Sequence, residues 1–188
     1  MTVLFSDIRS FTTISESLGP QGTVAFLNEY FELMVERIQR EGGMLDKFIG
    51  DAIMAGFGVP VAHDDDVDRA VRAAISMMRA LREWNAERAV QGKPLVDIGI
   101  GLNTDIVVSG NIGSKKRMDY TMIGDGVNLA SRLESACKKY GTHILASEFT
   151  IRGLRGTYRT REIDRVLVQG KTHPVAIHEI LDYHTGET

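Results

Sequence analysis

Apolar and polar positions divide this chain into short strand-like runs and three long helix-like stretches. The pattern predicts strands over residues 2–7, 44–49, 52–57, 95–103, 106–112, 120–123, 144–146, 157–164 and 175–181. Apolar residues at helical spacing predict helices over 20–40 and 67–88 and a third helix after Gly126, while residues 9–13 form a loop or a short helix.

Two turns indicate how the strands pair. Only Gly50 and Asp51 separate two apolar runs, which is a strong hairpin signal because such tight turns need positive φ. Thr104 and Asp105 separate another two runs and predict a second hairpin. Because helices alternate with hairpins, we expect an α+β fold. The nearest topology is a ferredoxin-like βαββαβ core with extra C-terminal strands, in which the helices pack on a mostly antiparallel sheet.

The composition is that of one globular domain. Of 188 residues, 43% are hydrophobic and 25% are charged, so we expect residues 1–188 to form a single domain. A net charge of −3 argues against nucleic acid as the partner, and the single cysteine, Cys137, favours a reducing, cytoplasmic setting. The sequence opens inside a strand with no leader. We therefore expect a domain cut from a longer protein, with sensor or regulatory domains upstream.

Two carboxylates stand out by their positions. Asp7 ends the first predicted strand and Asp51 lies in the first hairpin turn, so a ferredoxin-like sheet brings both toward one edge. Paired carboxylates with few nitrogen or sulfur ligands nearby suit Mg²⁺ or Mn²⁺. Taken singly, Asp7 is better explained as a cap of the next helix and Asp51 as a turn former.

Two further patterns are suited to binding a nucleotide. The segment from Asp7 to Thr12 places backbone N–H groups at the start of a helix, where phosphate oxygens can bind. Asn128 and Arg132 are four residues apart and share a helix face, so an amide and a guanidinium can together bind a sugar and a phosphate. An exposed polar helix face explains the same pair.

These residues resemble the class III nucleotidyl cyclase catalytic domains. The resemblance is carried by FSDIRSFT at 5–12, KFIGD at 47–51, GDGVNLASR at 124–132 and QGK at 169–171, and it covers nearly the whole chain. It implies an enzyme in which Asp7, Asp51 and the backbone carbonyl of Ile8 hold two Mg²⁺ or Mn²⁺ ions per active site. The ions would clamp the triphosphate and lower the pKa of the ribose 3′-hydroxyl.

The resemblance also implies how the nucleotide is held. The backbone around Phe11 and Thr12 would cradle the β- and γ-phosphates, and Lys171 would neutralise the terminal phosphates. Asn128 would orient the ribose, and Arg132 would stabilise the pentavalent phosphorus. The active site would lie between two copies in a head-to-tail homodimer with two equivalent sites.

The choice of base depends on Lys47 and Thr121. Lysine only donates hydrogen bonds and a threonine hydroxyl can accept them, so the pair fits N1 and the 6-amino group of adenine. We therefore expect an adenylate cyclase that converts ATP to 3′,5′-cyclic AMP and pyrophosphate. Many relatives carry Asp at the position of Thr121, and because threonine also donates, a guanylate or dual-specificity cyclase stays open.

Two other classes of protein remain as alternatives. One is a catalytically silent, cyclase-like regulatory domain, although every expected metal, base and transition-state position is filled. The other is a diguanylate cyclase, which should carry a Gly-Gly-acid-acid-Phe hairpin. Here Gly42 and Gly43 are followed by Met44 and Leu45, so this class is disfavoured.

Overall fold

The computed structural model describes residues 1–106 and 108–183, with the backbone alone at residues 108 and 117–120. The elements are, in chain order, β1 (Thr2–Ile8), α1 (Phe11–Arg40), β2 (Met44–Ile49), β3 (Ala52–Phe57), α2 (Asp66–Val90), β4 (Ile98–Thr104), β5 (Val108–Ser114), β6 (Arg117–Ile123), α3 (Asp125–Tyr140), β7 (Ile144–Ser147), α4 (Glu148–Arg152), β8 (Tyr158–Val166) and β9 (Val175–Tyr183). Within these ranges no helix is both long and apolar enough to cross a membrane.

The main sheet has seven strands in the order β2-β3-β1-β4-β7-β9-β8. The pairs are antiparallel except for β4 with β7. The first four strands of the chain lie in the order β2-β3-β1-β4, which is the arrangement of a split βαβ fold. The predicted α+β class, with a ferredoxin-like core and extra C-terminal strands, is confirmed.

The second predicted hairpin is wrong. Strand β5 pairs with β6 in a separate two-stranded ribbon, in which Ser114 lies opposite Arg117, and it does not pair with β4. Strand β4 lies between β1 and β7, and six of its seven residues are buried. Because both edges of β4 are already occupied, the chain after Asp105 has to leave the sheet.

Helix α1 is interrupted about one third of the way along its length, at Gly19. Gly19 has a φ of 71° and a ψ of 175°, and Pro20 follows it. The residues on both sides of this break are helical, so Pro20 opens the long segment as predicted. The residues before Gly19 add a short helical segment that begins where β1 ends, and this segment brings the helix start close to Asp7.

The sheet carries helices on both faces. Leu4 packs with Tyr30 of α1 and Trp84 of α2 in one apolar cluster, whereas Val3 packs with Val127 of α3 in another. Strand β1 is therefore buried on both sides, and Ser6 and Asp7 are the polar residues near its C-terminal end. Helix α3 lies so close to β4 that a Cβ added at Gly101 would stand 2.1 Å from the carbonyl oxygen of Ala130. Only glycine fits at this position.

Candidate active site

Asp7 and Asp51 meet at the end of β1. Asp7 pairs with Gly99 across the sheet, while Asp51 follows Gly50, whose φ of 61° closes the β2–β3 turn. The Ile8 N–H donates to Asp7 Oδ1 at 2.8 Å and to Asp51 Oδ2 at 3.1 Å. The two carboxylates therefore point at the same backbone group, as the sequence predicted from neighbouring strands.

The carboxylate pair is short of positive charge. Burial above all raises the pKa of Asp7 to about 8, and the contact with Asp51 and the charges of Asp51 and Glu134 raise it further. Burial also raises the pKa of Glu134 to about 6, with the charge of Asp51 as an added cause. Arg9 does not neutralise the pair directly, because its guanidinium binds Asp97 at 2.9 Å. A cation at this point would relieve the repulsion.

The donor set fits hard divalent ions. Across residues 1–106 and 108–183, no cluster of three or more His, Cys, Asp or Glu side chains forms a metal site by itself. Two carboxylates fit Mg²⁺ nonetheless, because this ion is usually held by one or two carboxylates and completes its octahedron with other oxygens. The carbonyl of Ile8 is one such oxygen in the chain.

The start of α1 lies beside the carboxylates. Ser10 precedes the helix with a φ of 57°, and its side chain makes no capping hydrogen bond. The first turn, which includes Phe11 and Thr12, carries no acidic residue. Its N–H groups form the positive end of the helix, which attracts anions such as phosphate.

Lys47 borders an open cavity of about 380 Å³ beside the β2–β3 hairpin. The cavity is lined by Phe5, Lys47, Ile49, Met54, Met122, Ile123, Gly124, Val127, Asn128 and Ser131. Thr121 directly precedes three of these residues, but its hydroxyl is hydrogen-bonded to Asp46 and the residue is only 5% exposed. The structure therefore brings Lys47 and Asn128 to one cavity and places Thr121 next to it.

Asn128 and Arg132 occupy the exposed side of α3, and Glu134 of the same helix lies toward the carboxylates. In the described part of the chain, no hydrogen bond or ion pair joins Asn128 or Arg132 to Asp7 or Asp51. Arg132 lines a separate cavity of about 190 Å³. Within one chain, the structure does not unite these two groups of predicted site residues.

Lys171 lies near the start of α3. Its Nζ is 3.8 Å from Asp105 Oδ2 and 4.8 Å from the centre of the Phe149 ring. It shares a cavity of about 180 Å³ with Asp125 and Gly126, which open α3. Lys171 therefore belongs with the Asn128 side of the molecule and not with the carboxylate pair of its own chain.

Two residues that contact the site were not found from the sequence. Glu134 faces the carboxylates because α3 rests on Gly99 and Gly101, and this alternating glycine pair was the available signal. Asp46 binds Thr121 and Met122, yet in the sequence it looks like an ordinary polar strand residue. No local pattern distinguishes it.

Comparison with known proteins identifies the class of domain. The sequence model of the adenylate and guanylate cyclase catalytic domain matches residues 1–183. The chain belongs to this family, so the resemblance seen in its motifs is confirmed.

Individual relatives agree with this assignment. The chain is 43% identical over 187 residues to an adenylate cyclase of Anabaena cylindrica, and the match covers 96% of this chain and 36% of that protein. It therefore spans well under half the length of this relative.

Solved structures of both nucleotide specificities are similar. The adenylyl cyclase CyaB from P. aeruginosa superposes with a TM-score of 0.87 and 36% identity, covering 100% of this chain and 96% of that one. The guanylyl cyclase Cya2 gives a TM-score of 0.84 and 39% identity, covering 98% and 92%. Since the adenylyl cyclase has the higher TM-score and the guanylyl cyclase the higher identity, the choice of base has to be inferred from the residues of the site.

Proposed function

We propose that this domain converts ATP to 3′,5′-cyclic AMP and pyrophosphate. The observation that carries the proposal is the side chain of Lys47 at the mouth of the cavity that Asn128 also lines. An ammonium group only donates hydrogen bonds, so it complements the N1 acceptor of adenine and opposes the N1–H of guanine. Thr121, beside the same cavity, supplies an acceptor for the 6-amino group.

The residues of the chain have the following roles in this proposal. Asn128 orients the ribose, and Arg132 stabilises the charge that develops on the α-phosphate as the 3′-oxygen attacks it and pyrophosphate leaves. The N–H groups around Phe11 and Thr12 hold the β- and γ-phosphates, and Lys171 neutralises the leaving pyrophosphate.

Asp7, Asp51 and the carbonyl of Ile8 would hold two Mg²⁺ or Mn²⁺ ions. The raised pKa of Asp7 and the shared Ile8 N–H support this assignment, because they describe two carboxylates held close together, an arrangement that a divalent cation would stabilise. When bound, the ions supply a more acidic 3′-hydroxyl and charge neutralisation of the triphosphate.

We further propose that each site is shared by two chains in a head-to-tail homodimer. Arg132 lies on the exposed side of α3, and the contacts of Lys171 are with Asp105 and Phe149. Neither side chain faces the carboxylate pair of its own chain. A second copy, related by a two-fold axis, can bring its Asp7 and Asp51 to these residues and create two equivalent sites.

We also propose that this domain is part of a longer cytoplasmic signalling protein with regulatory domains upstream. The match to only 36% of the Anabaena relative supports this proposal.

The test is to incubate the purified domain with ATP or GTP and with Mg²⁺ or Mn²⁺, and to identify the cyclic product by chromatography. We expect cyclic AMP, with a kcat/KM for ATP above that for GTP. An equal or higher kcat/KM for GTP would reject the assignment to adenine and favour a guanylate or dual-specificity cyclase. The absence of any cyclic product from a folded dimer would favour a silent regulatory domain.

A further inference from the structure

Strand β2 carries an irregularity at Asp46. Leu45 lies opposite Ala55 and Lys47 lies opposite Met54, so two consecutive positions of β3 face three of β2 and Asp46 is the extra residue. Such a bulge turns a side chain away from the regular alternation of a strand. Here it directs the Asp46 carboxylate toward β6, where the side chain is only 1% exposed.

The buried carboxylate is surrounded by donors. The Thr121 hydroxyl lies 2.8 Å from both Asp46 oxygens, and the Met122 N–H donates to Oδ2 at 2.9 Å. The Lys47 Nζ is 3.8 Å from Oδ1. A hydroxyl has one proton, and an ionised carboxylate can only accept. The Thr121 proton is therefore committed to Asp46, and only the lone pairs of the hydroxyl remain for another partner.

We propose that Asp46 is the positioning residue that determines base specificity, an inference that rests on the proposed adenylate cyclase function. By accepting the Thr121 proton, Asp46 converts a hydroxyl that could donate or accept into an obligatory acceptor. An obligatory acceptor pairs with the 6-amino group of adenine and repels the 6-oxo group of guanine. The same carboxylate attracts the Lys47 ammonium, so one buried group organises both base-reading side chains.

The variant Asp46→Asn tests this role with little change in shape. The Met122 N–H requires the amide oxygen at the Oδ2 position, so the amide nitrogen takes the Oδ1 position and donates to the Thr121 oxygen. That bond engages the Thr121 oxygen, so the hydroxyl proton, which then has one acceptor instead of two, can turn toward the base and donate to the 6-oxo group of guanine. We expect the ratio of kcat/KM for ATP to kcat/KM for GTP to fall at least about ten-fold, the effect of one mispaired buried hydrogen bond.

Asp68 offers a matched control. It is also a buried carboxylate that accepts from a hydroxyl, Tyr158 at 2.9 Å, and from backbone N–H groups, including that of Gly156 at 2.9 Å. Asp68→Asn disturbs the same kind of contact far from the cavity. We expect it to lower the melting temperature but to leave the ATP-to-GTP ratio unchanged. An equal loss of selectivity in both variants would overturn the proposal, because it would reflect general destabilisation.

A double-mutant cycle shows whether Asp46 acts through the hydroxyl. Thr121→Val removes the hydroxyl and keeps the side-chain shape. In that background we expect Asp46→Asn to change the ATP-to-GTP ratio by less than about three-fold, because only the weak attraction between Asp46 and the 46% exposed Lys47 ammonium remains. The same ten-fold loss in the Thr121→Val background would overturn the proposal.

A second measurement does not depend on an Asp46 variant that folds. Purine riboside triphosphate and 6-methoxypurine riboside triphosphate both keep the N1 acceptor, but only the second has an oxygen acceptor at C6. If Thr121 only accepts, the unaltered protein uses the methoxy compound at least about five-fold less efficiently, and Thr121→Val removes this penalty. Equal use by the unaltered protein, or an unchanged penalty in Thr121→Val, would overturn the proposal.

The nucleotide preference of the unaltered domain separates this inference from the proposed function. If the unaltered domain prefers GTP, both the adenine assignment and the role of Asp46 are wrong. If it prefers ATP and Asp46→Asn keeps that preference, the domain is an adenylate cyclase and only the role of Asp46 is wrong.

Discussion

Asp51 and Arg132 lie in different groups of site residues in one chain, which makes the sharing of sites between two chains directly testable. An Asp51→Asn chain loses a metal-binding carboxylate, and an Arg132→Ala chain loses the guanidinium that stabilises the transition state. Each is expected to be inactive as a homodimer. In a mixed dimer, one site combines the intact Asp51 of one chain with the intact Arg132 of the other, while the second site carries both lesions.

The magnitude follows from counting sites. Random exchange makes about half of the dimers mixed, and each mixed dimer has one intact site of two, so about a quarter of the activity of the unaltered protein should return. The assay measures cyclic AMP formation after two differently tagged chains have been mixed, and co-purification of the tags shows that they have exchanged partners.

A matched pair of chains provides the control. Mixing Asp7→Asn with Asp51→Asn combines two lesions from the same group, so every site of every dimer lacks at least one carboxylate and nothing should return. Recovery in this control, or no recovery from Asp51→Asn with Arg132→Ala despite proven exchange, would refute the shared site.

Further outcomes are expected from the same residues. Lys47→Glu combined with Thr121→Cys should shift the kcat/KM ratio toward GTP, and an unchanged ratio in the folded double variant would place base recognition elsewhere. Asp51→Asn should keep the melting temperature, because Asn tolerates the turn, but should lower kcat by orders of magnitude even at saturating Mn²⁺. Near-normal activity would mean that Asp51 is a turn residue only. Without metal, in EDTA, the pKa of Asp7 is about 8 in the folded state and 3.8 in the unfolded chain, so the folded state binds this proton more tightly. The contribution of Asp7 to the free energy of unfolding should therefore fall as the pH rises from 3.8 to about 8. Melting curves of Asp7→Asn should lack that decline, and identical pH profiles would contradict the raised pKa.

The parts of the site that could be predicted are those set by local chemistry. Gly50 and Asp51 predicted the β2–β3 turn because a two-residue connection restricts the backbone to positive φ, and both strands have the predicted bounds. The meeting of Asp7 with Asp51 followed from the topology, since β1 and β3 are neighbours in a ferredoxin-like sheet. The roles assigned to these residues in catalysis remain predictions.

Other features depend on contacts between distant segments. Asp46 reaches Thr121 only because β2 is bulged, and the sequence does not show the register of a strand against its neighbour. Thr104 and Asp105 suggested a hairpin that does not form, because β4 already has β1 and β7 as partners. Glu134 became part of the site through the packing of α3 on β4. In each case a tertiary partner, and not the local pattern, decided the outcome.

The close packing of α3 against β4 restricts how activity can be regulated. At Gly101 the helix backbone rests against the strand backbone, so α3 cannot slide or rotate without moving the sheet beneath it. Asn128 and Arg132 therefore travel as one rigid unit with the rest of their protomer. If sites are shared between chains, the adjustable quantity is the angle between the two protomers, and a signal from a neighbouring domain would open or close both sites together by changing that angle.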